Sequence, residues 1–361
     1  MATTRQAVAA LVLQFRMAAG SDAEASSELR WCIEELLQRR IRPSHHFPRK
    51  TAASRLPRTA KAADALELLS TLHGSEEALV RAYSGLDRAE RRRLDRWAEL
   101  RSRSHKPLQY LLRSQPFLGL DITVRPPTLI PRWETEEWVE RLITQIRKSL
   151  LYQPDRRHPI RILDLCSGSG CIALALAHHL NGQPLPSQPH SQPQFSVTGI
   201  DISARAIALA RINQRRLGIG NAEFHQADLT DPHQLARALH PEGYHILVAN
   251  PPYIPRMQYQ RLAASVKDWE DAVALESGGD GLELIRTIVK HINQESIRLI
   301  PTEHTLEAHN PGPTPAIALE INGCDQSQET LGLLRSIAQI KRAEVWQDLA
   351  GHDRAAVGYW S

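Results

Sequence analysis

Apolar residues along the first hundred positions recur at the spacing of a helix. In SSELRWCIEELLQRRI, Leu29, Ile33, Leu36, Leu37 and Ile41 fall on one face of a 3.6-residue period. KAADALELLSTLHG repeats the pattern and runs into Gly74, a helix-stop signal. RQAVAALVLQFRM predicts a first helix, and GLDRAERRRLDRWAELRSRS a further one whose arginines read as a solvated face. The period then shortens. In PFLGLDITVRPP, Leu118, Leu120, Ile122 and Val124 alternate with smaller or polar residues, which predicts a short hairpin. From about residue 160, strand-like runs (IRILDL, FSVTGID, YHILVAN, AIALEIN, AEVWQDLAG, DRAAVGYWS) alternate with helix-like ones (GCIALALAHHL, SARAIALARINQRRLG with Ser203 as N-cap, SQETLGLLRSIAQI). Such alternation predicts a mostly parallel sheet covered by helices. The expected organisation is a helical domain over 1–112, a hairpin linker over 113–130 and an α/β domain over 131–361.

Composition adds bounds to that outline. A chain of 361 residues suggests about two domains, and 42% hydrophobic with 23% charged residues is ordinary globular composition. The formal net charge of +4 does not by itself imply nucleic acid. Cys32, Cys166, Cys171 and Cys324 form no CxxC pair and match no zinc spacing, which points to a reducing compartment. No apolar run reaches the length of a membrane span.

Some segments depart from the element pattern. Residues 39–61 carry eight Lys/Arg, no Asp/Glu and three prolines, and read as an insertion with a conceivable RNA- or ribosome-touching role. Residues 181–194 and 294–315, rich in Pro, Ser, Gln and His, read as surface insertions. His45-His46 and His178-His179 lack partners at ligand spacing, so no metal is expected. The start carries Arg5 and Arg16 with no acid before Asp22, which is compatible with either a mitochondrial transit peptide or a plain first helix.

The chemistry begins at ILDLCSGSGCIALALA. A strand ends, a glycine turn follows and a helix opens, an arrangement in which backbone can approach a ligand closely and helix N–H groups face it. Gly168-Ser169-Gly170-Cys171-Ile172-Ala173 fits the relaxed GxGxxA loop of dinucleotide dehydrogenases. Asp164 ahead of the turn repels a pyrophosphate and suits a cationic ligand such as S-adenosylmethionine, with its sulfonium and ammonium. Asp201 ends the second strand, where a carboxylate can bond both hydroxyls of a ribose, and Asp228, followed by Leu229, comes after the third. In ILVANPPYIP a buried run meets Asn250, Pro251, Pro252 and Tyr253. Proline ends the ladder and freezes the turn. The Asn250 side-chain carbonyl and the Pro251 backbone carbonyl can each accept one hydrogen of a planar nitrogen, and Tyr253 can offer a flat wall. Such a nitrogen is a poor nucleophile with a delocalised lone pair, so positioning matters more than deprotonation.

These residues resemble the release factor glutamine methyltransferases of the HemK (PrmC) type over nearly the whole chain. KPLQYLLRSQPFLGLDITVRPPTLIPRWETE resembles that family's linker, DLCSGSGCIALALA its cofactor loop, ILVANPPYIP its [N/D]PP[Y/F] motif, ALESGGDGLELIRTI its following segment, and ALEINGCDQ and DLAGHDRAAVGYW its last strands. Cys166 stands where the family has glycine, Glu270-Asp271 where it often has Glu-Pro, and YLLRS where Tyr-Ile-x-Gly is usual. The resemblance implies a helical domain, a hairpin linker and a seven-stranded Rossmann-like class I methyltransferase domain. It implies S-adenosyl-L-methionine as donor and the glutamine of a Gly-Gly-Gln motif in a class 1 peptide-chain release factor as acceptor. Asn250, Pro251, Pro252 and Tyr253 would hold the glutamine. Asp164, Cys166, Gly168, Gly170, Asp201, Asp228, Leu229, Asn250 and Thr135 would bind the cofactor, with Trp133 near the same face and no metal.

The expected working form is a monomer, with no membrane partner and no direct nucleic acid required. The helical domain, the acid-free start and the eukaryotic-looking insertions place it in the mitochondrion, with the cytoplasm as the alternative. Three rivals stay open: a nucleic-acid N-methyltransferase acting on an exocyclic base amine, a non-catalytic protein on a methyltransferase scaffold and, more distantly, a dehydrogenase.

Overall fold

The computed structural model describes residues 2–41, 60–150, 159–181, 195–301 and 314–360. The Arg/Pro-rich stretch therefore lies mostly outside the described residues, as do His45-His46 and the centres of the two later insertions. Contacts divide the chain into two units, Met1–Ser114 with Ala263–Trp269, and Gln115–Leu262 with Glu270–Ser361.

In the first unit the predicted helical periods become α1 (Ala2–Ala19), α2 (Asp22–Ile41), α3 (Ala60–Thr71), α4 (Glu76–Ser84), α5 (Arg88–Arg103) and α6 (Leu108–Leu112). Leu29, Ile33, Leu36 and Leu37 of α2 are buried as their spacing requires, and Ile41 at the end is half-buried. Phe15, Leu72, Leu79, Leu94 and Trp97 complete that core. Asp87 and Glu90 form a capping box at the start of α5. Two long-range pairs fasten the bundle, Arg40 to Glu90 and Arg101 to both oxygens of Glu28. Arg88, Arg92, Arg93 and Arg96 are exposed, the solvated face expected of α5.

The second unit opens with the hairpin of β1 (Ser114–Phe117) and β2 (Leu120–Thr123). Here the sequence expectation needs correction. Leu118 does not alternate with Leu120 and Ile122. Leu118 and Gly119 are the two turn residues, with φ of 46° and 74°, as a tight hairpin of right-twisted strands demands. The buried set is Phe117, Leu120, Ile122 and Val124. Leu118 spends its backbone instead, its N–H donating to Glu136 and its carbonyl bonding the His179 ring.

After the hairpin come α7 (Trp133–Leu150), β3 (Ile160–Leu165), α8 (Cys171–Asn181), β4 (Phe195–Asp201), α9 (Ala204–Leu217), β5 (Ala222–Gln226), α10 (Pro232–Ala238), β6 (Ile246–Ala249), α11 (Arg256–Tyr259), α12 (Ala264–Lys267), α13 (Glu283–Asn293), β7 (Pro315–Glu320), α14 (Cys324–Arg335), β8 (Arg342–Gln347) and β9 (Asp353–Tyr359). Of these, α12 groups with the first unit, where the Trp269 indole that follows it donates to the Ser104 carbonyl and the Lys106 ammonium stands 4.7 Å over its ring.

Seven strands among the described residues form one sheet in the order β5-β4-β3-β6-β7-β9-β8. The first five are parallel to their neighbours, and β9 runs antiparallel between β7 and β8. This is the class I methyltransferase arrangement. Strands β3, β6 and β7 are buried at every position, as strands covered on both faces are. One apolar cluster joins them to α10, α13 and α14. Ser203 caps α9 through the Ala206 N–H, as expected. The segment read as an insertion from residue 294 is partly core: Ile297 and Leu299 are buried, and Leu299 pairs with Tyr244 as a parallel bridge. Their alternation with polar neighbours is a strand signal too short to stand out from a polar stretch.

Candidate active site

Strand register decides which residues meet. Leu165 of β3 lies beside Ile200 of β4 on one side and Ala249 of β6 on the other. Ala249 in turn lies beside Leu319 of β7. The residues just beyond are therefore Asp201, Cys166, Asn250 and Glu320, in a row along the carboxyl ends of four adjacent parallel strands. Chain order reverses between β3 and β6, and open α/β sheets bind ligands at such a switch point.

The loop after β3 has the shape the glycines suggested. Cys166, Gly168 and Gly170 have φ of 58°, 56° and 80°. Cys166 thus keeps the left-handed turn that glycine makes more cheaply. At Gly170 a Cβ would also press on Phe224 and Ala210 at 2.9 and 3.0 Å. The Gly168 N–H donates to Asp201 at 2.8 Å, and the other Asp201 oxygen accepts from the Ser203 N–H at 2.8 Å. Those bonds hold the carboxylate at the strand end and leave each oxygen a further lone pair. Asp228 is half-buried and its Oδ1 accepts twice from Thr230, at 2.7 Å each. Leu229 turns its side chain into the core, and its carbonyl bonds His291.

Asp164 is fully buried. Its Oδ2 accepts from Ser167 Oγ at 2.5 Å, whereas Oδ1 has no hydrogen-bond partner among the described residues, nor has Ser169 Oγ. Burial above all pushes the Asp164 carboxyl from the ordinary 3.8 up to about 7, with Asp201 adding to the rise and Ser167 opposing it. A buried carboxylate with an unused oxygen suits a cation, and a loop whose backbone opens at two glycines admits one. These residues fit the S-adenosylmethionine expected there. A cation arriving beside Asp164 requires the ionised form, so affinity for such a ligand rises as pH climbs toward about 7 and levels off above it. Calorimetry from pH 5.5 to 8.5 is expected to show this rise with proton release on the acid side, and Asp164→Asn is expected to flatten it.

Asn250 stands half-buried at the end of β6, and its Nδ2 donates to Thr135 Oγ1 at 3.2 Å. Thr135, from the first turn of α7, donates to Glu320 Oε2 at 2.7 Å. The Trp138 indole reaches the same oxygen at 2.8 Å, and the Tyr253 hydroxyl donates to Glu320 Oε1 at 3.0 Å. Thr135 therefore lies behind Asn250 with its hydroxyl engaged on both sides, while Trp133 is 53% exposed. Burial raises both the Glu320 carboxyl and the Tyr253 phenol, and the three donors pull Glu320 back down. Pro251 is buried, and Pro252 and Tyr253 are half-buried.

The rest of the Asn-Pro-Pro-Tyr turn is held from outside. Gln326 Nε2 donates to the Tyr253 carbonyl and the Asp280 carbonyl at 2.9 Å each. Ile254 is laddered onto Leu275 and Ser277. Gly281, at φ 81°, packs so closely that a Cβ would run into the Tyr253 carbonyl. Gly281→Ala is expected to lower the methyl-transfer rate by about 10²-fold, the effect of a misplacement near 1 Å, with cofactor affinity unchanged by calorimetry.

Sequence reasoning missed Glu320, Gln326 and Gly281. Glu320 had a signal, an acid closing the apolar run AIAL, since buried carboxylates are rare and always partnered. Glu270, at the position that departs from the family's usual Glu-Pro, pairs with Arg132, both of its oxygens accepting from Nη2 at 2.7 Å.

A methyltransferase-domain family profile matches residues 157–292. The mitochondrial MRF1 N(5)-glutamine methyltransferase of Saccharomyces cerevisiae is 40% identical over 50% of this chain and 52% of its own length. The probable mitochondrial counterpart of Schizosaccharomyces pombe is 31% identical over 74% of this chain and 79% of its own. A release factor glutamine methyltransferase of Geobacter sulfurreducens is 39% identical over 52% and 56%.

Proposed function

This chain belongs to the release factor glutamine methyltransferases, and on that footing we propose that it methylates the side-chain amide of the Gly-Gly-Gln glutamine in a class 1 peptide-chain release factor. The observation that carries the reading is Asn250. It stands at the end of β6, next to the Asp164–Gly170 loop, with its Nδ2 donating to Thr135.

S-adenosyl-L-methionine, when bound, supplies a methyl carbon made electrophilic by its sulfonium. This chain's residues do the positioning. Asp164, Gly168, Gly170 and Asp201 form the cradle beside β3 and β4. Asn250 Oδ1 and the Pro251 carbonyl accept the two amide hydrogens, which orients the nitrogen and stabilises the positive charge that grows on it. The prolines keep both acceptors fixed, and Tyr253, tethered by Glu320, closes one side. Holding nitrogen and carbon roughly 3 to 3.5 Å apart accounts for most of the rate. The glutamine nitrogen would gain the methyl carbon as its bond to the donor's sulfur breaks, leaving a thioether, and the nitrogen would give up one proton to solvent.

Mass spectrometry of the Gly-Gly-Gln peptide, after a purified release factor is incubated with enzyme and cofactor, is expected to show a gain of one methylene. Transfer of labelled methyl to RNA and not to the release factor would favour the base-amine rival instead. The mitochondrion is supported by the two yeast relatives, both of them mitochondrial enzymes by name. A fluorescent fusion spread through the cytosol would count against this placement. Among the described residues no helix is long and apolar enough to cross a membrane, and the proposed working form is a monomer.

A further inference from the structure

Resting on that reading of Asn250, we propose that Glu320, acting through Thr135, sets which way the Asn250 amide faces, and through Tyr253 steadies the other end of the motif. Glu320 is 1% exposed and receives three donors: Thr135 Oγ1, Trp138 Nε1 and the Tyr253 hydroxyl. Indole N–H can only donate, and Glu320 Oε2 takes both that hydrogen and the Thr135 hydroxyl hydrogen. The single hydroxyl hydrogen of Thr135 is therefore spent on Glu320 at 2.7 Å. What remains to Thr135 is an acceptor, and only the NH₂ end of Asn250 can satisfy it, at 3.2 Å.

The amide is thus oriented by elimination along a chain of three groups. Its carbonyl end is left for the substrate nitrogen. The reverse orientation would set an amide carbonyl against a hydroxyl oxygen with no hydrogen to share, and would present NH₂ to a substrate that needs an acceptor. Glu320 touches no reacting atom, so it is a positioning residue, and Thr135 is its relay.

Three variants test this: Thr135→Val removes the relay in the same volume, Thr135→Ser restores it, and Glu320→Gln puts a donor among three donors. Single-turnover methylation of the release factor is expected to slow on the order of tenfold in Thr135→Val and Glu320→Gln, about one lost hydrogen bond. KM for the release factor and cofactor affinity are expected to stay within about threefold, and Thr135→Ser to run within about threefold of the wild-type rate. In the free enzyme, the Asn250 side-chain NH₂ is expected to be protected from exchange by NMR in the wild type and Thr135→Ser, and unprotected in Thr135→Val. Equal losses in Val and Ser, an unslowed Val variant, or an Asn250 amide as protected in Val as in the wild type would each overturn the relay. The NMR reading stands whether or not the release factor is the substrate, so a wild-type enzyme inactive on that protein would count against the proposed function and not against the relay.

Discussion

Asn250→Ala is expected to lower the methyl-transfer rate by on the order of 10²- to 10³-fold while cofactor affinity changes by less than about twofold, the range seen when one preorganised polar group is removed from a reacting centre. The size follows from what the reaction lacks. An amide nitrogen has its lone pair in resonance with the carbonyl, so attack builds positive charge on a group with little tendency to carry it. On the proposed mechanism Asn250 Oδ1 accepts one of its hydrogens as that charge develops. The residue is held at both ends of its environment, by the β6 ladder beside Leu165 and Leu319 and by the bond to Thr135. Alanine keeps the strand and deletes the acceptor. The cradle at Asp164, Gly168 and Asp201 is built by β3 and β4 and does not depend on that side chain, which is why binding is expected to survive. Rapid-quench single turnovers with labelled cofactor, set beside calorimetric affinity, check both halves. A variant as fast as the wild type would remove Asn250 from the mechanism.

Arg132→Ala is expected to destabilise the protein by about 3 to 5 kcal/mol, the usual effect of stripping one partner from a buried ion pair. Glu270 has a side chain only 1% exposed, and both its oxygens rely on the Arg132 guanidinium at 2.7 Å. Without Arg132, a carboxylate stays buried with its main counter-charge gone. Burial already pushes the Glu270 carboxyl above its ordinary range even with Arg132 present. Its folded-state value exceeds the unfolded one, so its contribution to stability is best in acid and declines as pH rises through its folded value. Removing the arginine raises that value further, and the deficit of Arg132→Ala should shrink as pH falls and Glu270 takes up a proton. Thermal melts at pH 5 and pH 8 test this, the larger loss being expected at pH 8. The double change Arg132→Met with Glu270→Leu is expected to recover most of the stability, since an apolar pair of similar volume carries no desolvation cost. A double variant as unstable as Arg132→Ala would mean that the arginine acts through something other than this pair.

The features legible in the chain were those in which cause and effect lie close together. The 3.6-residue spacing in α2, the glycines at 168 and 170, the acid closing β4 and the proline stop after β6 each act on their own backbone within a few residues. Helices α4 and α13 carried the same kind of signal, and α13 carried it strongly. In α13, Ile285, Ile288, Val289 and Ile292 are buried at helical spacing, but the segment was read for its motif and not for its period. At the hairpin, local reading went astray by one residue because Leu118 is apolar yet occupies a turn, where backbone geometry and not hydrophobicity selects the position.

By itself, then, the sequence determined the fold class, the alternation of strands and helices, the glycine turn after β3 and the proline turn after β6, because hydrophobic period, glycine freedom and proline rigidity are properties of short stretches. Only the tertiary structure decided which distant groups serve those stretches. Thr135 and Glu320 are separated by 185 positions, and Arg132 and Glu270 by 138. Gln326 reaches back 73 positions to the Tyr253 carbonyl. These partners meet because parallel strands bring their carboxyl ends to one edge of the sheet and helices drop side chains onto it. No local pattern encodes such a meeting: the apolar run before Glu320 marks it as a buried acid, but only the register of the sheet shows which donors stand beside it.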